Sequence, residues 1–246
     1  TTLKSGMPSG PMNVVNGIGS PWNLGRCRSL DGISGLWFEN IWLASNGGGI
    51  GSYWGNVRSV GEKVGVNGKT SGIIPFIRVM DSLTLAISQG SLRRGSSAVY
   101  LDISHPEIEE FIEMRRPTGG DTNRKSLNLH HAVIIPDSFM HAVEKGEMWN
   151  LVSPKNGAVL KTLDARALWV RLLTARIETG EPYFLFVDTV NKHIPEHHKK
   201  LDLFVSTSNL CNEVVLFTGR DHHGEMRTAV CCLSSLNQIG RASCRE

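Results

Sequence analysis

The stretch "SAVYLDISHPEIEEFIEMRR" (97–116) joins a short apolar run to a polar segment with helical spacing. Residues 97–103 are mostly apolar, as in a strand that is buried on both faces of its sheet. Ser104, Pro106 and Glu107 then occupy the positions of a capping box, which predicts a helix that begins at Ser104. A buried strand followed at once by a helix is the unit of a parallel α/β sheet.

The same alternation continues on both sides of this unit. The patterns predict further helices at 30–45, 73–88, 137–146 and 164–180, and strands at 131–135, 182–188 and the start of 203–211. The clearest helix has Asp164 as its N-cap and Gly180 just past its end. Helices alternating with short apolar strands predict the α/β class.

Composition narrows the range of functions. The chain has 246 residues, 40% hydrophobic and 20% charged, with a net charge of +3. This charge is too small to predict a nucleic-acid partner, and no apolar run approaches the roughly 20 residues of a membrane span. Five cysteines at irregular spacing argue against a secreted disulfide framework. The sequence therefore predicts a cytoplasmic protein that binds neither nucleic acid nor membrane.

The motif "SNLCNEV" (208–214) places an amide, a thiol and a carboxylate at alternating positions, Asn209, Cys211 and Glu213. A strand-like backbone would point all three side chains to one side. There a thiol could give up a hydrogen atom, a carboxylate could accept a hydroxyl proton and an amide could hold that hydroxyl. The alternative is a small buried Cys211 beside a turn-capping Asn209 and a solvated Glu213.

A second group of thiols lies in "AVCCLSSLN" (229–237). Cys231 could form a redox pair with a distant cysteine, or it could be a buried thiol. His222 and His223 lie between the two cysteine motifs, so a zinc site with Cys231 is a further alternative. The spacing matches no standard zinc motif.

Two loops, 55–72 and 88–97, are rich in glycine and cations. Backbone N–H groups and cations in such loops suit an anion such as a nucleotide phosphate. Neither loop matches a P-loop or a dinucleotide fingerprint, so ordinary surface turns are the alternative. The cations are Arg58, Lys63, Lys69, Arg93 and Arg94.

In chain order, the motifs closely resemble the catalytic subunit of ribonucleotide reductase from about Ser29 to Asn237. The matching stretches are "GGGIGSYWGNVRS", "SQGSLRRGSSAVYLDISHPEIEEFIEMRR", "GEPYFLFVDTVN", "SNLCNEV" and "AVCCLSSLN". The resemblance implies part of a ten-stranded α/β barrel, with the radical cysteine on a finger loop inside it. It also implies reduction of ribonucleoside diphosphates to 2′-deoxyribonucleoside diphosphates.

The resemblance assigns roles to single residues of the predicted site. Cys211 matches the cysteine that becomes a thiyl radical and takes the 3′ hydrogen atom, and a buried thiol would protect that radical from solvent. Glu213 matches the carboxylate that takes the 3′-hydroxyl proton, and Asn209, with Ser208, belongs to the substrate-binding motif. Cys231 matches one member of the reducing pair.

The glycine-rich loops match the two specificity loops of the family. The resemblance implies that Arg58, with Lys63 in the same loop, binds a dNTP or ATP effector. Gln89 and Arg93 match residues that transmit the identity of the effector to the substrate base. Binding at two such sites should be reciprocally coupled.

The family also implies partners. The chain itself is expected to bind no cofactor or metal directly, because the radical comes from a metal-containing small subunit. Within the family the alternative is the adenosylcobalamin-dependent class, and outside it a non-redox zinc- or nucleotide-binding module. Thioredoxin or glutaredoxin is the expected reductant, and a homodimer is expected for the full-length protein.

The chain departs from the family pattern at its start. Where the partner of Cys231 is expected stands Pro21, so the partner is either Cys27 or missing, and Arg28 replaces an effector-binding aspartate. We therefore predict a divergent or mistranslated segment at 1–28, a partial barrel at 29–238 and an adapter-like, non-native tail at 239–246. Such a fragment is expected to be inactive alone.

Overall fold

The computed structural model describes residues 15–18, 29–66, 68–89 and 93–232. The helices are α1 (Leu30–Ser45), α2 (Ile74–Ala86), α3 (Ile108–Glu113), α4 (Asp137–Lys145), α5 (Ala165–Thr179), α6 (Val187–Lys192) and α7 (Glu196–Lys200), with a 3₁₀ turn at Thr122–Arg124. The longer strands are β1 (Val15–Ile18), β2 (Gly49–Tyr53), β7 (Ser96–Asp102), β8 (His130–Ile135), β9 (Met148–Val152), β10 (Val159–Asp164), β11 (Tyr183–Phe186) and β14 (Val230–Cys232). Two-residue strands are β3 (Lys63–Val64), β4 (Gly68–Lys69), β5 (Ser88–Gln89), β6 (Arg93–Arg94), β12 (Gly219–Arg220) and β13 (Met226–Arg227).

Six of these strands form the central sheet, in the order β11-β8-β7-β2-β1-β14. The first five run parallel to one another, and β14 lies antiparallel to β1 at the edge. Tyr53 of β2 is in register with Tyr100 of β7, and Leu101 of β7 with Val133 of β8. Parallel neighbours joined through helices confirm the predicted α/β class.

One face of the sheet, here called the outer face, is covered by helices. Val99, Leu101, Val133 and Ile135 point to this side and are buried in one core with residues of α1 to α5. Strand residues separated by two positions share a face, so every second residue of β7 and β8 enters this core. The core fixes the sheet against its helices.

The opposite face, here called the inner face, carries the alternate residues of the same strands. Ala98, Tyr100, Ala132 and Ile134 form a second, smaller buried cluster, against which Leu210 from a later loop packs. The inner face is therefore covered in part by a loop rather than by a layer of helices.

The helix ends support the sequence predictions at several places. Asp164 accepts a hydrogen bond of 2.7 Å from the Ala167 N–H and caps α5, and Gly180 follows it with a left-handed φ of 77°. Gly146 closes α4 in the same way, with φ 70°. These positions were predictable because capping depends on local chemistry.

The capping box predicted at Ser104 is wrong. The helix α3 begins at Ile108, and the preceding Glu107 makes no side-chain cap. The Glu107 carboxylate is buried and instead accepts hydrogen bonds from the backbone N–H groups of Val60 and Ile73. A long-range contact has replaced the local one.

Two other expectations differ from the structure. No strand forms at 203–211, which runs as an irregular loop among the described residues, because it crosses the inner face instead of joining the sheet edge. The hairpin of β9 and β10 was not predicted. Across the described part of the chain, no helix is both long and apolar enough to cross a membrane.

Candidate active site

The predicted site lies on a loop, residues 206–214, that crosses the inner face of the sheet. Over β2, a Cβ placed on Gly51 would clash with the Ser208 carbonyl oxygen, so the two backbones are in direct contact. Over β7, the Tyr100 hydroxyl donates to the Asn209 carbonyl at 2.6 Å. Beside β11, the Asn212 amide donates to the Phe184 carbonyl at 3.1 Å. Three parallel strands thus hold one loop.

The amide and the carboxylate of the motif are in direct contact. The Asn209 Nδ2 donates to Glu213 Oε1 at 2.9 Å. Asn209 is fully buried, and its Oδ1 accepts from the Val214 N–H at 3.3 Å. Because both ends of the amide are engaged, its orientation is fixed, and it holds the Glu213 carboxylate on the exposed side of the loop.

Cys211 lies between these two residues in the chain and is exposed. The structure therefore differs from the expectation of a buried thiol, because Cys211 is exposed, as is Glu213 on the same loop. Burial raises the pKa of Tyr183, and the charges of Glu181 and Cys211 raise it further. Cys211 is thus close enough to the inner-face tyrosines to interact with them electrostatically.

Ser208 contributes to the shape of the loop. Its side chain is fully buried, and its hydroxyl lies 2.9 Å from the Val214 carbonyl and 3.2 Å from Asn209 Oδ1. Both acceptors belong to the same loop, so the hydroxyl closes the turn around Cys211. A substrate-binding role for Ser208 stays a prediction.

Cys231 lies on β14, at the opposite edge of the sheet from β11, and is half-buried. In register with it on β1 stands Asn16, not a cysteine. Cys27 lies outside the described residues. The backbone therefore pairs the strand of Cys231 with a segment that supplies no thiol at the matching position.

The first glycine-rich loop borders a cleft of about 280 Å³ beside the start of α1. Arg58 and Lys69 line this cleft, together with Ser29 and the ring of Phe76. Arg58 also donates to the Lys63 carbonyl at 3.3 Å, and Lys63 itself is exposed. Two cations and an aromatic ring around a small cleft can accommodate an anionic ligand.

The second glycine-rich loop forms a short hairpin of β5 and β6. Gln89 and Arg93 stand opposite each other in this hairpin, and the turn between them lies outside the described residues. The backbone therefore brings the two predicted specificity residues together.

Two buried polar side chains, His105 and Glu107, hold the base of the first glycine-rich loop. His105 is 3% exposed, and its Nδ1 accepts from the Glu107 N–H at 3.1 Å, so the ring donates from Nε2 to the Val57 carbonyl at 2.9 Å. Burial lowers the pKa of His105 to about 4. Burial raises the pKa of Glu107 to about 7, against the lowering effect of its backbone donors.

The alternative zinc site finds no support in the described residues. The rings of His222 and His223 contact each other at a tilt of 45°, with their centroids 3.8 Å apart. Within the part of the chain that the structure describes, no three or more His, Cys, Asp and Glu side chains come together as a possible metal site.

Sequence reasoning missed three residues that hold the loop, Gly51, Tyr100 and Asn212. A glycine inside a strand pattern signals a close backbone approach, so Gly51 was recognisable in principle. Asn212 has a left-handed φ of 68°, which asparagine tolerates better than most residues. Nothing local marks Tyr100, because its partners are 109 and 112 positions away in the chain.

Comparisons with known proteins address the same stretch of chain. The family model described as "Ribonucleotide reductase, barrel domain" matches residues 27–240. A Frog virus 3 protein assigned as a ribonucleoside-diphosphate reductase large subunit is 47% identical over 94% of this chain and 40% of its own length.

Other relatives carry the same description. The ribonucleoside-diphosphate reductase large subunit of Invertebrate iridescent virus 3 is 39% identical over 84% of this chain and 39% of its own length. The large subunit of Arabidopsis thaliana is 31% identical over 85% of this chain and 28% of its own length. The chain thus spans about two fifths or less of these relatives.

Proposed function

Because the chain belongs to the ribonucleotide reductase large-subunit family, we propose that it forms part of the catalytic barrel of a ribonucleoside-diphosphate reductase. The reaction replaces the 2′-hydroxyl of a ribonucleoside diphosphate by hydrogen and so supplies precursors for DNA synthesis. The observation that carries the proposal is the bond of 2.9 Å between Asn209 and Glu213, which frames Cys211 on an anchored loop.

Cys211 is the residue that exchanges a hydrogen atom with the substrate. As a thiyl radical, its sulfur takes the hydrogen from the 3′ carbon and leaves the unpaired electron on the ribose. The same S–H bond returns the hydrogen to the 3′ carbon after reduction, so the thiyl radical is regenerated. A loop fixed by three strands suits this task, since the sulfur must stay close to one C–H bond.

Glu213 accepts the proton of the 3′-hydroxyl while the 2′-hydroxyl takes a proton from a thiol of the reducing pair and leaves as water. A carboxylate within hydrogen-bond reach of a hydroxyl can act as a general base. Asn209 holds that carboxylate in place, and the buried Ser208 shapes the turn beneath it. In this arrangement Asn209 and Ser208 position the ribose side of the site.

Cys231 is one member of the reducing pair. Two thiols supply two electrons and two protons, one proton for the departing 2′-hydroxyl and one for the 2′ carbon, and end as a disulfide. Its partner is Cys27, or a cysteine that this chain lacks at the position of Pro21. The disulfide is then reduced again by thioredoxin or glutaredoxin.

The radical originates outside this chain, in a metal-containing small subunit. Relatives described as large subunits of a diphosphate reductase support this class. An adenosylcobalamin-dependent enzyme is the second candidate, and a tyrosine-bearing C-terminal segment in the full gene would favour the first.

The cleft beside α1 is the effector site of this proposal. Arg58 and Lys69 line it and match the charge of a dNTP or ATP phosphate, and the exposed Lys63 belongs to the same loop. In this proposal Gln89 and Arg93 transmit the identity of the effector to the substrate base. Exposed aromatic rings on α1, Phe38 at 65% and Trp42 at 54%, support a homodimer of the full-length protein.

The domain boundaries are part of the proposal. Residues 29–238 form the partial barrel, 1–28 is a divergent or mistranslated segment and 239–246 is a non-native tail. Sequencing the source DNA through both ends tests this, because an uninterrupted natural reading frame through either segment would contradict it for that end.

The central test is Cys211→Ser in the full-length enzyme with its small subunit. We expect turnover to vanish while nucleotide binding keeps its affinity, because serine cannot form a comparable radical but preserves the loop. Cys232→Ser, the same substitution next to the redox cysteine, serves as the control and should keep turnover.

Two results would contradict the proposal. Turnover by Cys211→Ser would exclude thiyl chemistry at this residue. Stoichiometric zinc that is lost in His222, His223 or Cys231 variants would instead favour the zinc-binding module.

A further inference from the structure

We propose that Tyr100 is a positioning residue for this reaction, because its hydroxyl contacts the loop on both sides of Cys211, at the Asn209 carbonyl and at the Asn212 side chain. The assignment rests on the proposed function. No motif singled out Tyr100, because in the sequence it is only one residue of the strand β7. Its contact with the loop 206–214 is visible only in the tertiary structure.

The contacts of the Tyr100 hydroxyl define this role. The side chain is fully buried on the inner face, and the hydroxyl donates to the Asn209 carbonyl at 2.6 Å. The same oxygen lies 3.3 Å from Asn212 Oδ1. Asn209 and Asn212 flank Cys211 by two positions and one position, so one hydroxyl touches both ends of the segment that carries the sulfur.

Asn212 continues the contact to the next strands. Its φ of 68° is in the left-handed region, which asparagine tolerates better than most non-glycine residues. Its Nδ2 donates to the Phe184 carbonyl of β11 at 3.1 Å. The backbone turn just after Cys211 is therefore held from β7 and from β11.

The other anchor of the loop acts differently. At Gly51 the loop rests on the β2 backbone through the Ser208 carbonyl, which sets how close the loop can come to the sheet. This contact does not reach the residues next to the sulfur on both sides. Tyr100 therefore has the more direct control over the position of Cys211.

Positional control has a large effect on a hydrogen-atom transfer. A displacement of the reacting atoms by about 1 Å can cost on the order of 100-fold in rate. Burial raises the pKa of Tyr100, so its hydroxyl stays protonated at neutral pH and acts as a steady donor. Removing the hydroxyl leaves the buried Asn209 carbonyl without this donor and releases the segment.

The test compares Tyr100→Phe with Tyr53→Phe in the full-length enzyme with its small subunit. Tyr53 is the matched control, since it is in register with Tyr100 on the same face and its hydroxyl bonds to Asp102 at 2.5 Å. The measurements are kcat, KM, the thermal midpoint and the kinetic isotope effect with a 3′-deuterated substrate.

We expect Tyr100→Phe to lower kcat by about 10- to 100-fold while KM stays within about twofold. The isotope effect should rise, because hydrogen abstraction becomes the slow step, which a loss of folded protein cannot cause. Tyr53→Phe should lower the thermal midpoint and leave both kcat and the isotope effect at the wild-type values.

A wild-type kcat and isotope effect in folded Tyr100→Phe would overturn the inference. Should that variant fail to fold, Asn212→Gly decides, since it keeps the left-handed backbone but loses both side-chain contacts. For Asn212→Gly, a fall in kcat smaller than that expected for Tyr100→Phe, together with a raised isotope effect, supports the positioning role. An unchanged isotope effect contradicts it. Failure of the proposed function is distinguishable, because it would appear as turnover by Cys211→Ser.

Discussion

The two faces of the central sheet use the same strands for different purposes. The outer face of β7 and β8 presents Val99, Leu101, Val133 and Ile135 to the helices. One residue along each strand, the inner face carries Ala98, Ala132, Ile134 and Tyr100, and the Tyr100 hydroxyl bonds to the loop 206–214. Because successive side chains of a β-strand point to opposite faces, residues that pack against the helices alternate along each strand with residues that face the loop of the proposed site.

This difference shows where each kind of substitution should act. Outer-face residues lose stabilising apolar contacts when truncated, since they lie in a dense core. The inner face and its loop hold hydrogen-bonded groups in defined positions next to an exposed Cys211. Changes there should affect the reaction more than the stability of the fold.

The substitution Glu213→Gln tests whether a change on the inner-face side affects the reaction rather than the stability of the fold, and it has the largest expected effect. Glutamine can still accept the hydrogen bond from Asn209, but it cannot take a proton from a hydroxyl. We expect kcat of the full-length enzyme to fall by about 100- to 10,000-fold with an unchanged thermal midpoint. Glu225→Gln, at an exposed position in a later loop, is the control. Near-normal turnover of Glu213→Gln would remove the general base from the mechanism.

On the outer face, the substitution Leu101→Ala tests whether a change there affects the stability of the fold rather than the reaction. Leu101 is fully buried in the helix-covered core, and truncation of such a residue costs about 2–5 kcal/mol of unfolding free energy. Activity per folded molecule should stay at the wild-type level. Leu160→Ala, with a side chain 50% exposed on β10, should cost much less in the same denaturation experiment. Equal costs at the two sites would contradict the assignment of faces.

The smallest expected effect is a pH dependence of stability, which comes from His105 at the base of the first glycine-rich loop. His105 is neutral in the fold, since burial lowers its pKa from 6.5 to about 4. The unfolded chain binds the proton of this histidine more tightly than the folded chain does. The contribution of neutral His105 to the free energy of unfolding is therefore present above pH 6.5 and is lost as pH falls towards 4. The full loss is on the order of 3 kcal/mol.

Thermal unfolding of wild type and His105→Gln between pH 4 and 7 measures this contribution. The difference in midpoint should shrink as the pH falls. His141→Gln, at an exposed position of α4, should leave the pH dependence unchanged. A wild-type advantage that grows towards pH 4 would have the wrong sign for a buried neutral histidine.

Much of the fold was predictable from local patterns. The helices α1, α2, α4 and α5 and the strands β7, β8 and β11 were predicted to within a few residues, because periodicity and caps are local signals. The α/β barrel class is confirmed by the barrel-domain match and the parallel sheet. The capping box failed since the Glu107 carboxylate found partners at Val60 and Ile73, which lie far away in the chain.

The site divides in the same way. The sequence by itself determined the family and singled out Asn209, Cys211 and Glu213, because each motif is a short contiguous stretch and the order of the motifs can be read directly from the chain. The three residues lie on a loop, as the family resemblance implied, and within this loop Asn209 bonds to Glu213. The roles of these residues, and of Ser208 and Cys231, stay proposals.

Only the tertiary structure decided what holds the triad. The Tyr100 hydroxyl reaches Asn209 across 109 positions of chain, and Gly51 lets the loop rest on β2. No periodicity encodes such contacts, because they depend on how the loop folds back over parallel strands. The sequence therefore determined which chemical groups are present, and the packing of the loop on the sheet decided where they stand.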